Sequence, residues 1–252
     1  VGVAVGCGTR GRTVPFCSTF ATFFTRAFDQ LRMGAISMAN IKCAGSHAGV
    51  SIGEDGPSQM GLEDLALFRT LPGATVFYPT DAVSCERAVE LAAQIPGICF
   101  IRTARPATPV YYDNEEVFEI GKGKILRQSD SDQVLIVGAN VTIVEAMKAA
   151  DQLASEGTNV CVVDPFTLKP IDQDLLMTQA KRVGGRVVTV EDHYPEGGLG
   201  DAVSAAVQEL PEVQVRRLAV NGLPRSGQPA ELMQMFGISA NHIVSAVKEM
   251  IQ

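Results

Sequence analysis

The chain has 252 residues, 46% of them apolar and 19% charged, with a formal net charge of −7. That length suits two domains of roughly 100–150 residues better than a single core, and the composition is that of a globular protein with a sizeable interior. The acidic balance, with both signs interspersed, argues against nucleic acid or an anionic membrane surface as the main partner and leaves room only for a local basic pocket.

Short β-branched runs alternate with segments of helical period, the pattern of parallel α/β sheets flanked by helices. The first half predicts strands at 13–18 (TVPFCS), 41–45 (IKCAG), 75–79 (TVFYP) and 97–102 (GICFIR). Between the first two, Phe20, Phe23, Phe24, Ala27, Phe28 and Leu31 form one stripe, which predicts a helix capped by Ser18 or Thr19. Further helices are expected after Gln59 and from about Asp81 to Gln94. The stretch ARPATPVYYDNEEVFEIGKGKILRQSDSD is rich in Pro, Asp, Ser and Gly. Within it, residues 111–130 read as the connection between a first domain, 1–110, and a second, 131–252, with an edge hairpin. The alternation then restarts. Strands are expected in QVLIVGAN, VCVVDP, GRVVTVEDH and QVRRLAV, and helices over 141–155, over 172–182, after the Gly-rich turn of GGLGDAVSAAVQEL and in SANHIVSAVKEMIQ.

No stretch reaches the ~18 uninterrupted apolar residues that a membrane-spanning helix needs. The opening VGVAVGCGTRGR has no basic segment ahead of an apolar core, as a signal peptide would, and lacks Met, as a fragment or processed chain would. Cys7, Cys17, Cys43, Cys85, Cys99 and Cys161 form no Cys-x-x-Cys pair, so buried free thiols in a reducing compartment are expected. Three scattered histidines and unpaired cysteines match no metal-ligand spacing, and no Gly-x-Ser-x-Gly elbow of a serine hydrolase occurs.

Four features carry chemistry, each with a plainer alternative. The loop GSHAGVSIGEDGPSQ is either a turn-rich connection or a polar wall bearing His47, Asp55 and Gln59. The phenylalanine stripe is either core or, at Phe20 and Phe23, a surface on which a flat ring could stack. In RTARP, an arginine just past the carboxyl end of a parallel strand lies where α/β sheets bind ligands, and either grips a phosphate or forms a surface ion pair. In EDHYPEGGLGDAV the Gly-rich turn into a helix either cradles a phosphate or only shapes a turn, and it lacks the spacing of a dinucleotide fingerprint or P-loop.

As a set, PFCSTFATFFTRAFDQLRMGAIS, GSHAGVSIGEDGPSQMGLEDLALFRTLPGATVFYPTDA, FIRTARP, DPFTLKPID, VEDHYPEGGLGDAVS and LPRSGQPAELMQMFGI resemble transketolase, most of all its animal-type members. The likeness runs from residue 1 to 252 and covers that family's pyrimidine-binding domain followed by its C-terminal domain. GSHAGVS and FIRTARP favour transketolase over two relatives of the same domain order, deoxyxylulose-phosphate synthase and the beta subunit of 2-oxo acid dehydrogenases. The resemblance implies that the aminopyrimidine of thiamine diphosphate stacks on Phe20 and Phe23, with Arg26 at the third position, one turn on, where other members often carry tyrosine. It implies that His47 contacts substrate, that Asp55 contacts a substrate hydroxyl and that Arg105 grips the sugar phosphate. Gln59 stands where yeast-like members have histidine and counts with the cofactor-binding residues.

The implied activity is carbanion catalysis by the cofactor, with the protein supplying orientation and charge. A two-carbon ketol unit moves from a ketose phosphate to an aldose phosphate, the chemistry of the pentose phosphate pathway, in a cytoplasmic homodimer whose site is shared between subunits. The family's catalytic glutamate and the first strand of the pyrimidine domain match nothing from Val1 onward. Nor does the diphosphate-binding domain, which holds Mg²⁺ through Gly-Asp-Gly and a nearby asparagine. GEDG is no substitute, because the next asparagine is Asn114. The chain alone is therefore expected to be inactive and to provide no metal ligands. The second domain is expected to pack at a dimer interface rather than to carry catalysis. A non-catalytic transketolase-like module for dimerisation or regulation is the alternative, favoured by the unpaired edge of a sheet lacking its outer strand, and a plain nucleotide-binding α/β domain a further one.

Overall fold

The computed structural model describes residues 1–252. Strand β1 (Phe16–Phe20) pairs in parallel with β2 (Ile41–Ser46), in the register Phe16↔Lys42 to Phe20↔Ser46. On the other side of β2 lies β4 (Ile98–Arg102), followed by β3 (Thr75–Phe77), also parallel. Side chains of β4 are buried throughout, as both faces of a helix-covered parallel strand must be. The second sheet has the order β10-β9-β6-β7-β5, from β5 (Lys124–Arg127), β6 (Asp132–Val137), β7 (Asn159–Asp164), β9 (Arg186–Val190) and β10 (Gln214–Leu218). All its pairs are parallel except β5 with β7. These are two α/β domains, each with a mostly parallel sheet flanked by helices.

Most expected elements form. Helix α4 (Ala82–Gln94) starts at Asp81, whose carboxylate accepts from the Ser84 N–H while the Ser84 hydroxyl accepts from the Asp81 N–H, a reciprocal cap. Helices α5 (Val141–Ser155), α6 (Gln173–Arg182), α7 (Leu199–Val207) and α9 (Ala240–Ile251) cover the second sheet, and α3 (Asp64–Thr70) follows Gln59 after a turn. The phenylalanine segment differs from expectation. Ser18, Thr19 and Phe20 belong to β1, Ala21–Ala27 is a 3₁₀ helix, and the α-helix α2 spans Phe28–Ile36 with no side-chain cap. Pairing with β2 draws Ser18 and Thr19 into the strand, and the 3₁₀ segment splits the stripe, leaving Phe23 exposed while Phe24 is buried.

Three short elements had no expectation: α1 (Gly2–Gly8), β8 (Thr167–Lys169) and α8 (Pro229–Met235). Strand β8 leaves the second half of the chain and pairs antiparallel with β3, extending the first sheet. The 111–130 segment forms no hairpin, and its edge strand β5 pairs with β7 instead. It is tied down by Asp81, which accepts from the Tyr111 and Tyr112 N–H groups, and by the Tyr112 hydroxyl on Asp164 at 2.8 Å. Cys43, Cys99 and Cys161 are buried, whereas Cys7 is exposed, so the cysteines are free but not uniformly buried.

One apolar cluster runs without a break from Ala21, Phe24 and Phe100 to Leu135, Leu168 and Leu199, so the two sheets share a core. At its edge the fully buried guanidinium of Arg102, at the carboxyl end of β4, is surrounded by acceptors. Nε donates to Asp64 at 2.7 Å, Nη1 to the Tyr78 hydroxyl at 2.5 Å, and Nη2 to Asp64 at 3.1 Å and to the Gly61 and Asp192 carbonyls at 2.9 Å. Burial is the largest single influence and pushes this guanidinium pKa down, but Asp64, Tyr78 and Asp192 together outweigh it and the net shift is upward. Arg102→Met, which strands the Asp64 charge, is expected to cost about 3–5 kcal/mol in urea unfolding. Adding Asp64→Leu should recover part of that loss, and equal stability of wild type and Arg102→Met would refute the assignment.

Candidate functional site

Because β1, β2 and β4 are parallel neighbours, their carboxyl ends open at the same rim. Phe20 ends β1, His47 follows β2, and Thr103–Arg105 follow β4. The backbone ties these ends together: the Thr103 N–H donates to the Gly45 carbonyl at 2.8 Å, and the Ala48 N–H to the Thr103 carbonyl at 3.1 Å. The Gly49 N–H reaches the Gly61 carbonyl at 2.8 Å.

Two groups of side chains sit on this rim. The first is a stack of rings. The Phe20 ring lies 4.0 Å from the His47 imidazole, with 13° between planes, and 5.7 Å from the Phe23 ring, with 6° between planes. Phe23 keeps 43% of its surface exposed, so the platform is open rather than sealed in the core. Phe24, the next residue, points the other way into an aromatic cluster with Phe68 and Phe100. His47 takes a left-handed backbone, φ 58°, and its Nδ1 lies 2.9 Å from the Ser46 hydroxyl, leaving Nε2 without a protein partner.

The second group is ionic. Arg105 Nη1 donates to the Ile52 carbonyl at 3.2 Å and to Asp55 at 3.1 Å, with Glu54 at 3.8 Å. Its Nε and Nη2 make no hydrogen bond, so one edge of the fork is free for a bidentate anion. Gln59 is half-buried and reaches only the Ser58 hydroxyl at 3.5 Å. Arg26 is exposed on the 3₁₀ helix and makes no hydrogen bond or ion pair. The loop 47–55 joins the two groups: His47 begins it and Asp55 ends it.

Two residues that support the rim carried no expectation. Asp192, just past β9, is fully buried and accepts from the Val50 N–H at 2.7 Å and the Ser51 N–H at 3.1 Å. Arg102 was visible only as part of RTARP, where Arg105 is the exposed arginine and Arg102 the buried one. The turn before α7 settles its own alternatives. The Leu199 and Gly200 N–H groups donate to the Glu191 carboxyl oxygens at 2.6 and 3.0 Å, so the helix N-terminus is already occupied by a group from its own chain. Glu191 stands directly ahead of the turn in the sequence, a signal that could have indicated this. Burial raises its pKa to about 7 and lowers that of neighbouring His193 to about 4. No group of three or more His, Cys, Asp or Glu could hold a metal ion, and no helix is long and apolar enough to cross a membrane.

Comparison with known proteins gives consistent matches. Residues 1–110 match the model for the transketolase pyrimidine-binding domain, and residues 121–243 that for the transketolase C-terminal domain. Human transketolase is 59% identical over 251 residues, 100% of this chain and 40% of its own length. Rat transketolase is 60% identical with the same coverage, and bovine transketolase-like protein 1 is 58% identical over 42% of its length. The chain thus spans about two fifths of these relatives. A solved split-gene transketolase, described as an inactive beta4 tetramer, superposes with a TM-score of 0.88 at 38% identity, covering 98% of this chain and 79% of that one. Transketolase from Campylobacter jejuni shares the fold, with a TM-score of 0.79 at 18% identity over 98% of this chain and 37% of that one.

The Glu191 carboxyl makes stability depend on pH. Its folded pKa of about 7 lies above the ordinary 4.5, so its stabilising contribution is full below that ordinary value and is lost as pH rises through about 7. Between about pH 5 and about pH 8, wild type should lose up to about 3 kcal/mol relative to Glu191→Gln in urea unfolding. Parallel pH profiles for the two proteins would refute this.

Proposed function

The chain belongs to the transketolase family, and from that premise we propose that it supplies the pyrimidine-and-substrate half of a thiamine-diphosphate enzyme. The reaction moves a two-carbon ketol unit from a ketose phosphate to an aldose phosphate, the chemistry of the pentose phosphate pathway. The observation that carries this reading is the juxtaposition, at one strand rim, of a near-parallel ring platform, an imidazole and a half-free guanidinium.

The residues fit the pyrimidine end of the cofactor: Phe23 offers an open flat face parallel to Phe20, and Arg26 and Gln59 are assigned to the same end. They do not fit the metal end, since the chain has no cluster of ligands for Mg²⁺. That end is assigned to a companion diphosphate-binding domain. When bound, thiamine diphosphate supplies the reactive carbon that carries the two-carbon unit between sugars. The chain's own task is placement. Arg105 takes the sugar phosphate on its free edge, while Asp55 steadies Nη1 and offers its remaining oxygen to a substrate hydroxyl. His47, its Nδ1 held by Ser46, presents Nε2 to the carbonyl and hydroxyl end. Holding a reactant in this way can contribute about 7–11 kcal/mol of barrier lowering.

A cytoplasmic homodimer with the site shared between subunits is part of the same reading, and six free cysteines are in keeping with a reducing compartment. A second reading, a non-catalytic assembly module, draws support from β1. This edge strand has Phe16 exposed, and the split-gene relative is an inactive tetramer.

Mixing the chain with the diphosphate-binding portion of an animal transketolase, Mg²⁺ and thiamine diphosphate is expected to restore ketol transfer between sugar phosphates, while the chain alone gives none. In the mixture, Arg105→Ala should raise KM for the phosphorylated acceptor roughly 10–150-fold, the loss of about 1.5–3 kcal/mol of charge-assisted hydrogen bonding. Tight binding of magnesium thiamine diphosphate to residues 1–252 alone, seen by calorimetry, would overturn the division of labour. Self-association without transfer in the mixture would favour the assembly module.

A further inference from the structure

The loop that carries the candidate substrate groups belongs to the first domain, yet its centre is held by the second. His47 and Ala48 are anchored to β2 and Thr103, and Ile52 and Asp55 hold Arg105. Between them lies the turn Val50–Ile52, a short 3₁₀ segment flanked by Gly49 at φ 82° and Gly53 at φ 83°. The first two N–H groups of this turn both donate to the Asp192 carboxylate, at 2.7 and 3.1 Å, across 142 and 141 residues of sequence. The carboxylate is completely buried and pairs with no arginine or lysine; the nearby Arg102 donates to the Asp192 backbone carbonyl instead. It lies so close that a Cβ on Gly49 would sit 2.0 Å from its Oδ2, which requires glycine there independently of φ. A buried anion in a concave nest of backbone N–H groups fixes the orientation of those peptide planes.

We propose that Asp192 is the positioning residue of this site. It sets the 50–52 turn, and so fixes the spacing between the His47–Phe20 stack at one end of the loop and the Asp55–Arg105 pair at the other. The second domain then does more than stabilise the first, because it determines where the imidazole stands relative to the guanidinium. A sugar phosphate spanning both groups meets them in the relative placement that this turn sets. The inference rests on the proposed function for the meaning of those two groups, but not for its test.

The test is NMR on the whole chain, comparing wild type with Asp192→Asn. The variant should exchange the Val50 and Ser51 amides about tenfold faster or more, through loss of a charged acceptor. It should also shift the His47 ring and Arg105 Nε–H signals, while β6 amides such as Leu135 and Ile136 stay as in wild type. Faster exchange at Val50 and Ser51 with unmoved His47 and Arg105 signals would overturn the proposal and leave Asp192 a purely stabilising residue. Should Asp192→Asn fail to fold, amide exchange of wild type in increasing urea decides. Val50 and Ser51 should lose protection together with Val188 and Val190 of β9, and retention after β9 has opened would overturn the proposal. Neither readout measures turnover, so failure here and failure of ketol transfer are separate results.

Discussion

The rim depends on one buried cation. Arg102 has no exposure to water and spends its donors on Asp64, Gly61, Tyr78 and Asp192, drawn from two domains and three separate stretches of chain. Stripping a guanidinium of water costs several kcal/mol, offset only when every partner is in place. The arrangement is therefore close to all-or-none: misplacing Gly61 or Asp192 leaves a donor without its acceptor in a low-dielectric interior. It also fixes the end of β4. Arg105 lies three residues beyond Arg102, so the exposed guanidinium that faces solvent is placed by the buried one that does not.

The same interaction explains why two domains of separate sheets behave as a unit at this edge. The Asp192 carbonyl binds Arg102 while its carboxylate binds the Val50–Ser51 turn, so one residue of β9's exit holds both β4 and the loop after β2. Its neighbours divide the remaining work. Glu191 occupies the N-terminus of α7, and the His193 carbonyl accepts from the Val220 N–H. β8 adds a further tie, because its three residues complete the first sheet from within the second half of the chain. Cutting between the halves would expose an edge of β3 and strip Arg102 of an acceptor.

Much of this was legible in the sequence where local physics decides. Helices α4, α5 and α9 were expected over nearly the residues that form them, and the structure adds the Asp81–Ser84 cap at the start of α4. The loop residues His47 and Asp55, together with Arg105, stand out by residue type and by their position after strands. Pairing with distant partners hid the rest. The phenylalanine stripe reads as one helix by its spacing, whereas pairing with β2 converts its first residues to strand and the 3₁₀ segment turns Phe23 and Phe24 to different sides. β8 is too short for any period, and α1 carries three glycines, a loop signal, within a seven-residue helix that packs beside α2. The role of Asp192 lies in contacts more than 140 residues away. A Gly-rich turn into a helix looks alike whether its anion is a ligand or the protein's own glutamate, so the EDHYPEGGLG stretch left both readings standing.

Backbone strain shows which parts of the rim the fold holds against local preference. Five non-glycine residues have positive φ: Met38, His47, Asn140, Phe166 and Glu212. Such a conformation costs a side-chain-bearing residue about 1–3 kcal/mol and persists only when its surroundings enforce it. Met38 is 86% exposed and Glu212 lies in a surface turn, so a positive φ alone marks nothing. His47, Asn140 and Phe166 differ: each follows the carboxyl end of a strand, β2, β6 or β7, and each is braced from another element. The Asn140 amide donates to the Pro79 carbonyl at 2.7 Å, Phe166 packs on Phe77 and Phe118, and His47 lies on Phe20. Two of these braces serve the join between the sheets. His47 differs in that its brace is a ring stack at the rim, and its Nε2 has no partner within the protein.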